Sequence, residues 1–254
     1  MRVVVLGAAG QLGREVVRAL AEREHTVCVA VRRPPIPSFG CPVEVRIADA
    51  RNKAEVRAAM SGADTVVNVI GGGTLRRNDV ASTTTAVAVA AALGAGIQRY
   101  IAMSAGMVAI EWPLFKYVLR PLIFRNILAE HNRVEQIVKS SALTWTIARP
   151  SALTNRPPTG YVATLKLQPR TYLTARADLA AFIADELETN QYVRQPVFIT
   201  SRGEKQKGAM GGAWPAINNP SGVPTFFDPL WSKKSCVGLK SSVTVMVSGF
   251  QACS

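Results

Sequence analysis

The sequence predicts an α/β protein: a doubly wound parallel sheet with helices on both faces. Three observations carry that expectation. Short runs rich in Val and Ile alternate with segments of helical period along most of the 254 residues. Several of these runs are apolar throughout, as strands covered on both faces are. Hydrophobic residues make up 48% and charged residues 19%, enough for a sizeable core.

The elements follow in order. Arg2 to Leu6 reads as the first strand, and Gln11 to Glu24 as a helix with apolar positions at Leu12, Val16, Val17 and Leu20. Thr26 to Val31 is a strand, after which Pro34, Pro35 and Pro37 enforce a loop. A strand at Val43 to Ile47 precedes a helix at Asn52 to Met60. The fourth strand, Ala63 to Val69, stops at Gly71-Gly72-Gly73. An Ala-rich helix at Asp79 to Leu93 is ended by Gly94 and Gly96, and Arg99 to Ser104 is the fifth strand. A helical region from Leu114 to Ser140 is expected to break near Pro121. Leu143 to Ala148 is the sixth strand and runs into Arg149-Pro150. Beyond it come a strand at Gly160 to Leu165, a helix through Leu187 with Thr174 as N-cap and Asp178 in its first turns, and a strand at Pro196 to Thr200. Residues 1–200 are read as one domain. Residues 201–254, with 7 Gly, 4 Pro and no sustained period, are read as a weakly ordered extension.

The net charge is +13, from 30 Lys and Arg against 17 Asp and Glu. Such a balance suits nucleic acid, an anionic membrane or a phosphate-rich small molecule. No block of five like charges forms a basic arm, aromatics are only 7%, and no nucleic-acid module is recognisable, so no nucleic-acid partner is expected. The long uncharged stretch Val80 to Ile97 is built of Ala, Thr and Gly rather than Leu and Ile, so no spanning helix and no membrane partner are expected. The apolar N-terminus is ended by Arg14 and Glu15 and reads as a first strand rather than a signal sequence. Cys28, Cys41, Cys236 and Cys253 form no Cys-x-x-Cys pair, and with two histidines no metal site is expected. A reduced, cytoplasmic protein is the simplest reading. The oligomeric state is open.

The first strand runs into Gly7-Ala8-Ala9-Gly10-Gln11-Leu12-Gly13 and then a helix. This is the context in which a Gly-x-x-Gly-x-x-Gly run binds a dinucleotide. Gly7 allows the tight turn, Gly10 lets the backbone approach a pyrophosphate, and Gly13 lets the helix pack close to the sheet. Ala9, Gln11 and Leu12 complete the loop that presents helix N–H groups to the phosphates. A tight turn without a ligand is the alternative. The second strand ends Ala30-Val31-Arg32-Arg33, without the acid that an NAD site places there for the ribose. Arg32 and Arg33 suit a 2′-phosphate, so NADP(H) is expected, against the alternative of a solvated basic loop. Asp49 either receives the adenine amino group or caps the helix that follows. Gly71 lets the chain pass close to the cofactor ribose, or simply belongs to a loop.

These residues resemble the short-chain dehydrogenase/reductase superfamily, and within it the atypical, NmrA-like branch that includes biliverdin-IXβ/flavin reductases. The resemblance rests on the glycine run, Arg32-Arg33, Asp49, Met103-Ser104-Ala105 and the segment Ser141 to Thr154, SALTWTIARPSALT, and it covers about residues 1–200. It implies a Rossmann sheet with the cofactor across the carboxyl ends of the strands, Pro150 beside the nicotinamide, and residues 151–175 helping to form a small substrate pocket. It implies an active-site role for Ser104, which polarises or positions the acceptor; local backbone bonding is the alternative. One departure stands out. The Tyr-x-x-x-Lys pair of the wider superfamily is missing: Tyr117 has no Lys four residues on, and Tyr172-x-x-x-Arg176 comes too late. Lys116 is left to reach the nicotinamide ribose, or to be a surface residue. His131, with Glu135 at i+4 to raise its pKa, is either a protonated group that assists transfer or part of an exposed charge pair. The resemblance implies an NADPH-dependent reductase passing hydride to a conjugated acceptor (flavin, quinone or tetrapyrrole), or a non-catalytic NADP-sensing regulator.

Overall fold

The computed structural model describes residues 1–71, 78–110, 113–167 and 173–202. An eight-stranded sheet forms the centre, in the order β3-β2-β1-β4-β5-β6-β10-β8. Its strands are β1 (Arg2–Leu6), β2 (Thr26–Val31), β3 (Glu44–Ile47), β4 (Thr65–Asn68), β5 (Arg99–Met103), β6 (Thr144–Pro150), β8 (Tyr161–Thr164) and β10 (Gln195–Ser201). All neighbours are parallel except β8, which closes the sheet antiparallel to β10. This is the doubly wound order the sequence predicts. Two short strands, β7 (Ala152–Thr154) and β9 (Leu173–Ala175), pair separately and were not foreseen.

The strand residues alternate between two cores, one on each face. Val3, Val5, Val29 and Val67 meet α1 (Gln11–Ala21) and α5 (Arg176–Thr189) through Val16, Leu20, Phe182 and Ile183. Val4, Leu6, Val66 and Tyr100 meet α2 (Lys53–Ala59) and α3 (Val80–Gly94) through Val56, Ala88 and Ala92. Burial on both sides explains the unbroken apolar runs. No helix joins β2 to β3: prolines occupy the link, and Phe39 from it packs into the α1 face in place of a helix. Cys28 and Cys41 are free, and burial pushes the Cys28 thiol up to about 11.

Helix ends are held in two ways. Asn52 caps α2 by accepting from the N–H groups of Ala54 at 3.0 Å and Glu55 at 3.4 Å. Glu55 reaches back to the Asp49 N–H and the Asn52 side chain. Asn52→Ala is expected to cost about 1 kcal/mol in urea unfolding, with nucleotide affinity unchanged. At α3 the counter-charge comes from a different helix. Glu130 of α4 (Arg125–Lys139) accepts from the Ser82 N–H at 2.7 Å and pairs with Arg133. Burial works to raise the Glu130 pKa, but the Ser82 and Arg133 bonds overcome it and hold the carboxyl below its ordinary range.

Two expectations need correction. Thr174 does not cap α5. It lies in β9, where its hydroxyl donates to the Ile199 carbonyl at 2.8 Å and accepts from the Ser151 N–H, so it ties three strand ends together. The cap position is Ala175. Asp178 does lie in the first turn of α5, but its buried carboxylate accepts from the Gly160 N–H at 2.9 Å and the Ser201 hydroxyl at 2.5 Å, which fixes the β8 approach to β10. The helical region after β5 is not broken at Pro121. A π-helical segment, Phe115–Phe124, absorbs it and continues into α4. The expected C-terminal extension lies, from residue 203, outside the described residues.

Candidate dinucleotide site

Parallel strands bring all their carboxyl ends to one edge of the sheet. Following the strand order from β3 to β6, that edge carries Asp49, Arg32 and Arg33, Gly7, Gly71, Ser104 and Pro150. The sequence-predicted residues therefore lie in a row, and the crossovers reverse direction between β1 and β4. Ligands of doubly wound sheets bind at such a point.

Gly7 sits at φ +85°, a backbone few side-chain-bearing residues adopt, and a Cβ there would stand 3.0 Å from the Ile70 nitrogen. The Gly10 N–H closes the turn on the Gly7 carbonyl at 3.0 Å. Gly13 is the tightest position: a Cβ would lie 2.2 Å from the Gly7 oxygen and 2.6 Å from Ala8 Cα. Helix α1 opens at Gly10 with no side-chain cap and no acid in its first turn, so its leading N–H groups are left for an anion. Ala9, Gly10 and Gln11 are exposed on the rim. Leu12 turns its side chain into the core and has only backbone to offer.

Asn68, at the end of β4, was missed in the sequence. It is buried, its Oδ1 accepts from the Ile70 N–H at 3.1 Å, and its Nδ2 donates to the Tyr100 hydroxyl at 2.9 Å. It thereby sets the chain that leaves β4 beside Gly7. The signal was a polar residue ending an otherwise apolar strand. Gly71 is exposed, and a Cβ there would meet Met103 Cε at 3.3 Å; Gly72 and Gly73 lie outside the described residues.

Arg32 and Arg33 follow β2 directly and are exposed, with no partner among the described residues. The register pairs Leu6 with Ala30, which puts the end of β2 beside the glycine turn. Asp49 is half-buried. It accepts from the Arg51 N–H at 3.0 Å and does not cap α2, since Asn52 does.

At the other end of the row is a charge cluster. Ser104 is buried, and its hydroxyl donates to Glu135 Oε1 at 2.9 Å. Glu135 is buried too, and accepts from Arg149 Nε at 2.8 Å and Nη2 at 2.6 Å and from Lys139 at 2.7 Å. Burial pushes its carboxyl up, but the Arg149 and Lys139 bonds more than offset this and bring it to about 2. The proton of Ser104 is thus held by a permanent carboxylate. In the sequence Glu135 stands out only as a neighbour of His131 and Arg149 only as the end of a strand; the packing of α4 on β6 makes them a buried pair. A Cβ on Gly106 would stand 3.0 Å from the Pro150 carbonyl, so the turn after Ser104 presses on Pro150 itself.

His131 lies one helical turn before Glu135. Burial drives its pKa down, against the upward pull of Glu135 and Glu130, and its buried Nδ1 has no partner among the described residues. Lys116 falls in the π-helical segment, and its side chain lies outside those described.

A glycine turn with a close-packed helix, at the switch point of a doubly wound sheet, defines a dinucleotide-binding Rossmann domain. The chain belongs to the NAD(P)H-binding family, whose profile matches residues 7–190. A curated Bacillus subtilis protein named "uncharacterized sugar epimerase YhfK" is 30% identical over 196 residues, covering 74% of this chain and 88% of that one. A wide-type short-chain dehydrogenase/reductase from Veillonella parvula, solved with NADP, superposes with a TM-score of 0.64 at 21% identity, over 80% of this chain and 95% of its own. ChuY, an anaerobilin reductase from Escherichia coli O157:H7, does so with a TM-score of 0.67 at 20% identity, over 81% and 99%. The chain thus shares the fold of these solved structures and belongs with the NAD(P)H-binding proteins. No helix among the described residues is long and apolar enough to cross a membrane.

Proposed function

We propose that this protein is an NADPH-dependent reductase that passes a hydride to a conjugated acceptor of the flavin, quinone or tetrapyrrole class. The observation that carries the reading is the hydrogen bond from Ser104 to Glu135. Alcohol oxidation, carbonyl reduction and sugar epimerisation all need a group that exchanges a proton with a hydroxyl or alkoxide. Here the serine proton is committed to a carboxylate that stays ionised, and no Tyr-x-x-x-Lys pair replaces it. A conjugated acceptor spreads the incoming charge over its rings and draws its proton from solvent, so positioning suffices. NADPH supplies the hydride when bound.

In this reading the uncapped start of α1 and the backbone from Gly7 to Gly13 hold the pyrophosphate. Arg32 and Arg33 take the 2′-phosphate, Asp49 faces the adenine, and Gly71 passes the ribose. Pro150 backs the nicotinamide. Ser104 offers lone pairs, and His131, one helical turn before Glu135 on α4, orients the acceptor.

Arg32→Ala is expected to weaken NADPH about 10- to 100-fold, the worth of a charge-assisted bond, and NADH only slightly. Isothermal titration with both nucleotides checks this; equal losses contradict a 2′-phosphate site. Turnover is tested by following NADPH oxidation with riboflavin, a quinone and a linear tetrapyrrole, beside an aldehyde and a nucleotide sugar. Activity confined to the conjugated set is the expected result. Tight NADPH binding with no turnover of any of them would assign the protein to sensing instead.

A further inference from the structure

Residues 112–129 carry three basic side chains, Lys116, Arg120 and Arg125, and no acidic one. Within them lies the densest exposed apolar surface of the described residues. Leu114 is 66% exposed, Tyr117 71%, Val118 42%, Leu122 77% and Ile123 48%. Leu114, Val118 and Leu122 recur every fourth residue along a helical segment, so they share one face. Other exposed large hydrophobic side chains lie scattered, singly or in pairs, as on any protein surface.

We propose that this segment docks on an anionic lipid surface, lying in the plane of the interface. Docking in the plane of the interface requires no spanning helix. It needs an apolar face, interleaved Lys and Arg, and little negative charge nearby. This stretch has the apolar face and three interleaved basic residues; the acids that flank it are Glu111 and Glu130, the latter paired with Arg133, and the whole chain carries a net charge of +13. The same charges argue against a second copy as occupant, since pairing the two faces would bring basic residues against basic residues. They favour an acidic headgroup layer.

Topology gives the docking a direction. The chain leaves β5 at the carboxyl edge of the sheet, passes through the segment, and returns along α4 to the start of β6. The apolar face therefore flanks the edge that carries Gly7, Ser104 and Pro150, and a docked molecule holds that edge close to the bilayer.

The test is vesicle flotation of the full chain. It should float with vesicles of phosphatidylserine in phosphatidylcholine, at least about tenfold more than with phosphatidylcholine alone, and high salt should release it. The double variant Leu114→Asp with Leu122→Asp should lose flotation at an unchanged thermal midpoint. If that variant unfolds, Arg120→Glu with Arg125→Glu, which reverses charge within the segment, decides: loss of flotation supports the proposal and full retention overturns it. No flotation of the wild type with anionic vesicles also overturns it. So does a dimer in solution that the leucine variant converts to monomer, because the face then belongs to a second copy.

Discussion

A Gly13→Ala variant is expected to lose nucleotide binding by at least about 100-fold and to lose about 3 kcal/mol or more of stability, the upper range for overpacking. The added methyl would stand 2.2 Å from the Gly7 carbonyl oxygen and 2.6 Å from Ala8 Cα, both rigid backbone. Helix and turn cannot both stay in place. Gly10→Ala makes the informative contrast. Its methyl would sit 3.3 Å from the Gly7 oxygen on the exposed rim, so the fold should hold while the approach of a pyrophosphate is obstructed. Urea unfolding and calorimetry on both variants separate the two effects. Wild-type affinity in Gly13→Ala would mean that the turn is not the phosphate cradle.

The second large effect is at Glu135. Glu135→Ala leaves the Arg149 guanidinium, and the Ser104 hydroxyl beside it, without their shared acceptor, and is expected to cost about 3–5 kcal/mol. The same residue shapes acid stability. Its folded pKa of about 2 lies below the ordinary 4.5, so its contribution is complete above the unfolded value and is lost as pH falls through 4.5 towards 2. That contribution is about 3 kcal/mol. Stability measured from pH 7 down to about 2 should fall less steeply over that window in Glu135→Gln than in the wild type. Identical slopes would show that Glu135 is not held ionised by Arg149 and Lys139.

The sheet was legible because strands buried on both faces are apolar at every position, and because helices α1 and α2 carry their signals locally. The glycine turn was legible for the same reason: the spacing of Gly7, Gly10 and Gly13 encodes a single bend. What escaped was whatever depends on distant partners. Nothing local marks Glu130, whose role appears only when α4 lies against the start of α3. Thr174 has the residue type of a cap, but a strand pairing claims it. Glu135 was expected to charge His131, yet Arg149 and Lys139 take its carboxylate and burial of the imidazole prevails. Short strands β7 and β9 have no period long enough to detect, and Pro121 gives no sign that a π-helical segment will absorb it.

The central claim is that Gly7 to Gly13, with Arg32 and Arg33, receives a 2′-phosphorylated dinucleotide. Parallel calorimetric titrations of the wild-type chain with NADPH and NADH test it most directly. The account predicts one saturable site that prefers NADPH by about tenfold or more, the worth of one charge-assisted contact to the 2′-phosphate. An equal or tighter affinity for NADH, or no heat from NADPH, would contradict it.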